Sequence, residues 1–394
     1  MCRIALVINA ENNQVIQLMS GLQTNGSNIK PEFKSIDNNW FVTNRFGVTS
    51  QNQEQGEYPL ESEKYLFAYN GEVYSFKDEV FDPTDDSSDV HFALGKIEQH
   101  GLDAFFKEAD IQGTFFIYDK EKKISHIFND QLNTSGCFYA QNGKQVIVAQ
   151  EYSIVHRALS ESGAPGDTPI HVLKNGSHMQ ISQEGEIAVS TYRNQYNELW
   201  SGRVDGVDEL TRSVIDGFID NFNDTLTQAV HNRIPKEGTV GILCSGGVDS
   251  SIIFHLTYTY LKERGQLDRL KVFTLGSDNN TELEDKDNDL ANVRQLLRAY
   301  GLPENETLVK IEDNKKWKEY LYRNAVFNDH PSLIPANPAS VQVRNTVQMS
   351  SVLASAIDKC PDLKTMLTGD FADEIFVGYP LLHRGGGEYS GTRL

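Results

Sequence analysis

A short apolar run, Val240–Cys244, flows without a break into Ser245-Gly246-Gly247-Val248-Asp249-Ser250-Ser251, and apolar residues at helical spacing continue to about Lys262. Few folds accept that order. A strand that turns through glycines directly into a helix opens a βαβ unit, and the next strand must then lie parallel to the first. The glycines permit a tight turn that aims bare N–H groups at the loop mouth. The helix start adds partial positive charge, and the serines add hydroxyls. This stretch is a candidate anion cradle at the carboxyl end of a strand, where ligands of parallel sheets sit. It lacks the lysine of GxxxxGK[ST], so it is not a Walker loop. Asp249 beside a phosphate calls for a divalent cation between the two charges.

The chain around this motif has two rhythms. Up to about residue 200, short stretches alternate with period two and are punctuated by turn signals such as Asn142-Gly143 and Asn175-Gly176. Strands are predicted at Arg3–Asn9, Trp40–Thr43, Tyr65–Tyr69, Gly113–Tyr118, Ile124–Asn129, Gln145–Ala149 and His178–Ile181, with a helix at Ser88–Gln99. This reads as an α+β layered domain of antiparallel sheets over residues 1–200. A polar linker, Asn194–Gly206, follows. From about 207 the pattern becomes α/β. A helix running from Asp208 past Val230 is followed by strands at Val240–Cys244, Leu270–Leu275, Glu306–Ile311 and Leu363–Leu367. Helices are predicted between them at Ser250–Lys262, Asp289–Tyr300, Asn314–Phe327 and Val341–Asp358. Strand–helix alternation gives a doubly wound parallel sheet over 207–394.

Composition narrows the partners. Charged residues number 36 basic against 55 acidic, a net −19, so the surface repels nucleic-acid phosphates and anionic lipid. No stretch reaches the ~20 apolar residues of a membrane span. The four cysteines form no CxxC pair, which argues against a zinc site or disulfide framework and favours a cytoplasmic protein. Cys2 is placed so that trimming of Met1 would leave a thiol and a free α-amine on one residue. Such an amine serves as base for its own side chain. An ordinary strand cysteine is the competing reading.

Taken together, SGGVDSS and Cys2 resemble the glutamine-dependent asparagine synthetase family. In that family an N-terminal-nucleophile (Ntn) glutaminase domain is fused to an ATP-pyrophosphatase domain. Val272–Gly276 is similar to the family's adenine-side strand end, and Leu367–Tyr379 resembles its SGEGSDExFGGY segment. The resemblance implies that glutamine is hydrolysed at Cys2 and that the ammonia amidates an ATP-activated carboxylate, aspartate or another acid. Asn70 and Gly71 of the NGE motif would form the oxyanion hole. Arg45, Glu72 and Asp89 would hold the glutamine. Cys244, Ser245, Gly246, Gly247, Asp249, Ser250, Leu275, Thr368 and Gly369 would bind ATP and its pyrophosphate. Asp370 would face the acyl-adenylate, and Asp249 with Asp373 would ligate Mg²⁺.

Two segments depart from the family pattern: Thr24–Asn28 in place of HRGPD, and Asn129–Tyr139 in place of RDxxGxxPLY. The chain also stops soon after Tyr379, where the family continues through a helical region bearing a lysine. Either this is a shortened relative, or that part is missing, or another chain supplies it; the partner readings are a homodimer or such a completing chain. Two alternatives stay open. One is a synthetase closing an internal amide, of the β-lactam synthetase or lasso-peptide cyclase type. The other is a non-catalytic nucleotide-binding partner.

Overall fold

The computed structural model describes residues 3–10, 32–44, 58–82, 88–193, 212–275, 289–311, 352–353, 355–370 and 372. The chain divides into two compact units. Described residues of the first lie within Met1–Leu210, and those of the second within Thr211–Tyr322 and Val341–Leu394.

The first unit is built on two antiparallel sheets. One contains β1 (Arg3–Ile8), β2 (Glu32–Ile36), β3 (Asn39–Asn44), β9 (Phe138–Asn142), β10 (Gln145–Ala149) and β11 (His171–Val172), in the order β11-β9-β10-β1-β3-β2. The other contains β4 (Leu60–Glu61), β5 (Tyr65–Phe76), β7 (Ala109–Asp119), β8 (Ile124–Asn129), β12 (Ser177–Ile181) and β13 (Ile187–Thr191), in the order β13-β12-β8-β7-β5-β4. The short β6 (Glu79–Val80) pairs with β5.

Strand periodicity sorts β1 into two cores. Ile4, Leu6 and Ile8 share a core with residues of the second sheet, among them Leu66 and Phe116. Ala5 and Val7 pack with Ile154, Val155, Ala158 and Leu159 of a helix, α3 (Tyr152–Glu161). The second sheet is covered by α1 (Asp89–His100) and α2 (Leu102–Glu108), through Val90, Ala93, Leu94, Ile97, Phe105 and Phe106. Phe106 stacks on Phe128 at 3.7 Å and meets Phe115 edge-on at 5.2 Å. The result is four layers: helix, sheet, sheet, helices.

In the second unit, β14 (Thr239–Leu243), β15 (Leu270–Leu275), β16 (Leu308–Ile311) and β17 (Leu363–Thr368) are parallel, in the order β16-β15-β14-β17. Helices α4 (Arg212–Asn232), α5 (Val248–Glu263) and α6 (Asp289–Ala299) precede or connect them, and α7 (Glu304–Thr307) is a single turn before β16. Val272 packs with Phe254, Leu261, Val293 and Leu297 of α5 and α6. Its neighbour Phe273 points the other way, to Val352, Ala356 and Cys360. Both faces of the sheet are thus covered, as a parallel sheet requires. Chain order runs outward from β14 to β16 and then returns to the other side of β14 at β17. That reversal opens a crevice at the carboxyl ends of β14 and β17.

Local differences from the sequence reading have physical causes. The strand expected to end at Tyr69 runs on to Phe76, carrying Asn70-Gly71-Glu72 in mid-strand rather than at a turn. Glu306, read as the start of a strand, belongs to α7, and β16 begins at Leu308. The helices expected at 314–327 and before 352 fall outside the described residues.

Candidate functional site

Two places gather the residues that the sequence singled out, one in each unit. In the first, β5 carries Asn70, Gly71 and Glu72 opposite β7, with Gly71 facing Gly113 across the ladder. The pairing is close. A Cβ on Gly71 would lie 1.7 Å from the Gln112 carbonyl oxygen, and Gly71 itself sits at φ 152°. Only glycine fits there.

The ladder also fixes where the Gly71 N–H points. Gly113 directs its N–H to the Asp130 carboxylate, and its carbonyl accepts from Asp130 N at 3.1 Å, both on the β8 side. Gly71 and Gly113 are therefore a non-hydrogen-bonded pair, and the Gly71 N–H faces away from β7, along the edge of β5 that extends past β4. Its neighbours on that edge are engaged. Tyr69 N donates to the Tyr58 hydroxyl at 2.6 Å, and that hydroxyl donates to the Tyr69 carbonyl. Val73 N donates to Asp89 Oδ2 at 3.1 Å. The Gly71 donor lies between them.

The Asn70 side chain is held by Gln150, a residue the sequence reading missed. Asn70 Nδ2 donates to Gln150 Oε1 at 2.9 Å, and Ile4 N donates to the same oxygen at 3.1 Å. This joins the motif to the beginning of β1, two residues beyond Cys2. The Asn70 carbonyl accepts from Ser135 Oγ at 3.1 Å. Ser135 lies in the segment that departs from the family pattern, yet that segment is well organised. Buried Asp130 accepts from Leu132 N at 2.9 Å, from Thr134 N at 3.1 Å and from the Thr134 hydroxyl.

Glu72 and Asp89 form an acidic pair. Asp89 is buried at the start of α1. Burial first, then the charge of Asp89, holds the Glu72 carboxyl well above the usual carboxylate range. The Tyr69 hydroxyl is raised by the same surroundings, chiefly by burial. Cys2 and Arg45 lie outside the described residues.

In the second unit, β14 ends at the loop Cys244–Gly247, and α5 begins at Val248. Gly246 adopts φ 79°, and a Cβ there would come within 2.5 Å of Asn292 Cβ on α6. Buried Ser250 ties the loop to itself. Its Oγ accepts from Ser245 N and donates to the Gly247 carbonyl, each at 3.3 Å. Ser250 is thus an internal tie more than a free hydroxyl. The Gly247 cap offers no side-chain bond to the α5 start, so first-turn N–H groups remain for a ligand.

Thr368 and Gly369, at the end of β17, close on the same place. A Cβ on Gly369 would be 2.8 Å from Ser250 N and 2.9 Å from the Asp249 carbonyl carbon. Asp370 is exposed beyond them, its N–H 3.4 Å from Thr368 Oγ1. Asp249 is exposed on the first turn of α5, and Leu275 is exposed at the end of β15. Burial raises the Cys244 thiol above its ordinary range. Among the described residues no group of three His, Cys, Asp or Glu is arranged to hold a metal ion. Asp373 lies outside them. A phosphate-bound Mg²⁺ needs only one or two carboxylates, the rest of its shell being phosphate oxygen and water. Asp249 fits as one of these.

A parallel sheet with a glycine cradle at its switch point defines an anion-binding α/β unit of the nucleotide-binding kind. Residues 221–388 match the asparagine synthase family model. The chain is 22% identical over 356 residues to a putative glutamine-hydrolysing asparagine synthetase 1 from Methanocaldococcus jannaschii, covering 88% of this chain and 59% of that protein. It is 24% identical over 375 residues to asparagine synthetase B from Escherichia coli, covering 90% and 60%. It is 23% identical over 369 residues to asparagine synthetase 2 from Bacillus subtilis, covering 86% and 46%. A solved glutamine phosphoribosylpyrophosphate amidotransferase from B. subtilis aligns with TM-score 0.38 and 13% identity over 70% of this chain and 75% of that one, too slight a likeness to bear on the fold. The chain is thus similar to asparagine synthetases over most of its length, and its residues 221–388 carry the asparagine synthase family match. It spans about three-fifths or less of the length of these curated relatives.

Proposed function

We propose that the chain is a glutamine-dependent amidotransferase that hydrolyses glutamine in its first unit and uses ATP in its second to amidate a carboxylic acid. The observation that carries this reading is the pair of hydrogen bonds that Gln150 Oε1 accepts, from Asn70 Nδ2 and Ile4 N, which sets Asn70 beside the start of β1. The four-layer arrangement of the first unit supports an Ntn-type glutaminase over 1–200, and the cradle supports an ATP-pyrophosphatase unit over 207–394.

In this reading the α-amine takes the Cys2 thiol proton as the sulfur attacks the glutamine side-chain carbonyl; that proton goes to the leaving ammonia, and water then hydrolyses the γ-glutamyl thioester. Asn70 Nδ2 and the Gly71 N–H stabilise the oxyanion. Arg45 clamps the α-carboxylate, and Glu72 with Asp89 holds the α-ammonium. The products are glutamate and ammonia. In the second unit the first-turn amides of α5 and the loop Cys244–Gly247 hold the pyrophosphate of ATP, with Leu275 on the adenine side. Thr368 and Gly369 shape the pocket, and Asp370 faces the activated acid. Asp249 and Asp373 would hold Mg²⁺, which when bound offsets phosphate charge. The acid's carboxylate attacks the α-phosphate of ATP and expels pyrophosphate, and ammonia then displaces AMP from the acyl-adenylate. Shielding ammonia from water keeps it unprotonated and nucleophilic.

The test is incubation of the chain with glutamine, ATP, Mg²⁺ and a panel of acids including aspartate. The reading expects AMP, pyrophosphate and glutamate together, and an amide of one acid. Nucleotide binding with neither glutamate nor AMP released would refute it and favour a non-catalytic partner.

A further inference from the structure

We infer that Gln150 is a positioning residue for glutamine hydrolysis: it fixes the Asn70 amide so that an Nδ2 hydrogen faces the developing oxyanion. This rests on the glutaminase reading above.

An asparagine amide is ambiguous by shape, because oxygen and nitrogen can exchange by a flip, and only its partners decide. Here the decision is made by a backbone group. Ile4 N can only donate, so the Gln150 atom it meets must be the oxygen. The same oxygen faces Asn70 at 2.9 Å, so the Asn70 atom there must be the nitrogen. The amide nitrogen has two hydrogens. One is committed to Gln150, and the other is set in the amide plane, with no hydrogen-bond partner among the described residues.

The placement of Gln150 follows from the sheet. Ala149 pairs with Ala5 in the β1–β10 ladder, so the residue that follows β10 falls beside Ile4. Gln150 is 7% exposed, and its Nε2 finds no partner among the described residues. A buried donor left unpaired is a cost that a residue kept for stability alone would avoid. Its oxygen does the positioning, through the two hydrogen bonds it accepts.

The test compares glutamine hydrolysis by the full chain with that of Gln150→Met, Gln150→Glu, Asn70→Ala and Asn70→Ala/Gln150→Met. Met keeps the volume and loses the acceptor. Its kcat should fall about 10- to 100-fold, the usual effect of losing an orienting partner, with KM for glutamine little changed. Glu keeps the acceptor oxygen and should stay within a few-fold of wild type. In the Asn70→Ala background, the Met substitution should add nothing, because its effect travels through Asn70. Thermal unfolding controls for folding, and should the Met variant not fold, the Glu variant decides. The inference is overturned if Met matches wild type, if its effect multiplies with that of Asn70→Ala, or if Glu falls as far as Met. A wild type with no glutaminase activity would instead remove the reading beneath it. The two failures differ in which protein shows them.

Discussion

Replacing Glu72 by glutamine should strengthen the fold and weaken its grip on glutamine. The cause is the proximity of two carboxyl groups. Burial and the Asp89 charge raise the Glu72 carboxyl above its ordinary value of 4.5 in the folded chain. Folding therefore binds a proton there that the unfolded chain releases. The contribution of Glu72 to stability is greatest at acid pH and falls as pH rises from about 4.5 towards the raised folded value. For one proton the limiting slope is about 1.4 kcal/mol per pH unit. Glu72→Gln removes that slope, so the variant should match wild type near pH 4 and exceed it at neutral pH. In the proposed glutamine site the α-ammonium would reverse the balance, since a cation between the carboxylates favours the ionised form. Losing one charge-assisted bond of about 1.5–3 kcal/mol should raise KM about 10- to 100-fold. The assays are urea midpoints of the full chain from pH 4.5 to 8 and glutamine saturation curves at neutral pH. An unchanged pH slope together with an unchanged KM would refute the argument that this pair is poised for a cation.

Other outcomes follow from the same geometry. Gly369→Ala puts a methyl 2.8 Å from Ser250 N and must push the α5 start by several tenths of an ångström. Since a misplacement of ~1 Å costs on the order of 100-fold, AMP formation should drop about tenfold while glutamine hydrolysis stays intact. Asp249→Asn should weaken the Mg²⁺ dependence of AMP release, measured by Mg²⁺ titration, and leave glutamate release unchanged. The His126–His178 pair, 2.9 Å apart in β8 and β12, has both rings pushed down to about 4, mainly by burial. Its contribution to stability is complete above about pH 6.5 and is lost as pH falls towards 4, so His126→Phe should flatten the acid limb of the urea-midpoint curve.

What the sequence made legible was local. The strand, glycine turn and helix at Val240–Lys262 are decided by neighbours along the chain, and β14, its loop and α5 follow that order. The alternating faces of β1 were readable for the same reason. What it hid was long-range. Gln150 meets Ile4 across 146 residues and Asn70 across 80, and no pattern near Gln150 announces either bond. Ser135 reaches Asn70 across 65 residues from a segment that looked degraded. An isolated Asn-Gly-Glu would more often form a hairpin turn, yet here it lies within β5. The facing glycine of β7 keeps it in the ladder instead. The α3 helix had a readable spacing at Ile154, Val155, Ala158 and Leu159, which the surrounding strand rhythm obscured.

The central claim is that the first unit takes ammonia from glutamine at Cys2 and the second spends ATP to use it. The most direct measurement is AMP release by wild type and by Cys2→Ala, each supplied with an accepted acid and either glutamine or ammonium chloride. The account predicts that wild type works with both nitrogen sources, while Cys2→Ala works with ammonium and fails with glutamine. Equal loss with both sources, or undiminished use of glutamine by Cys2→Ala, would contradict it.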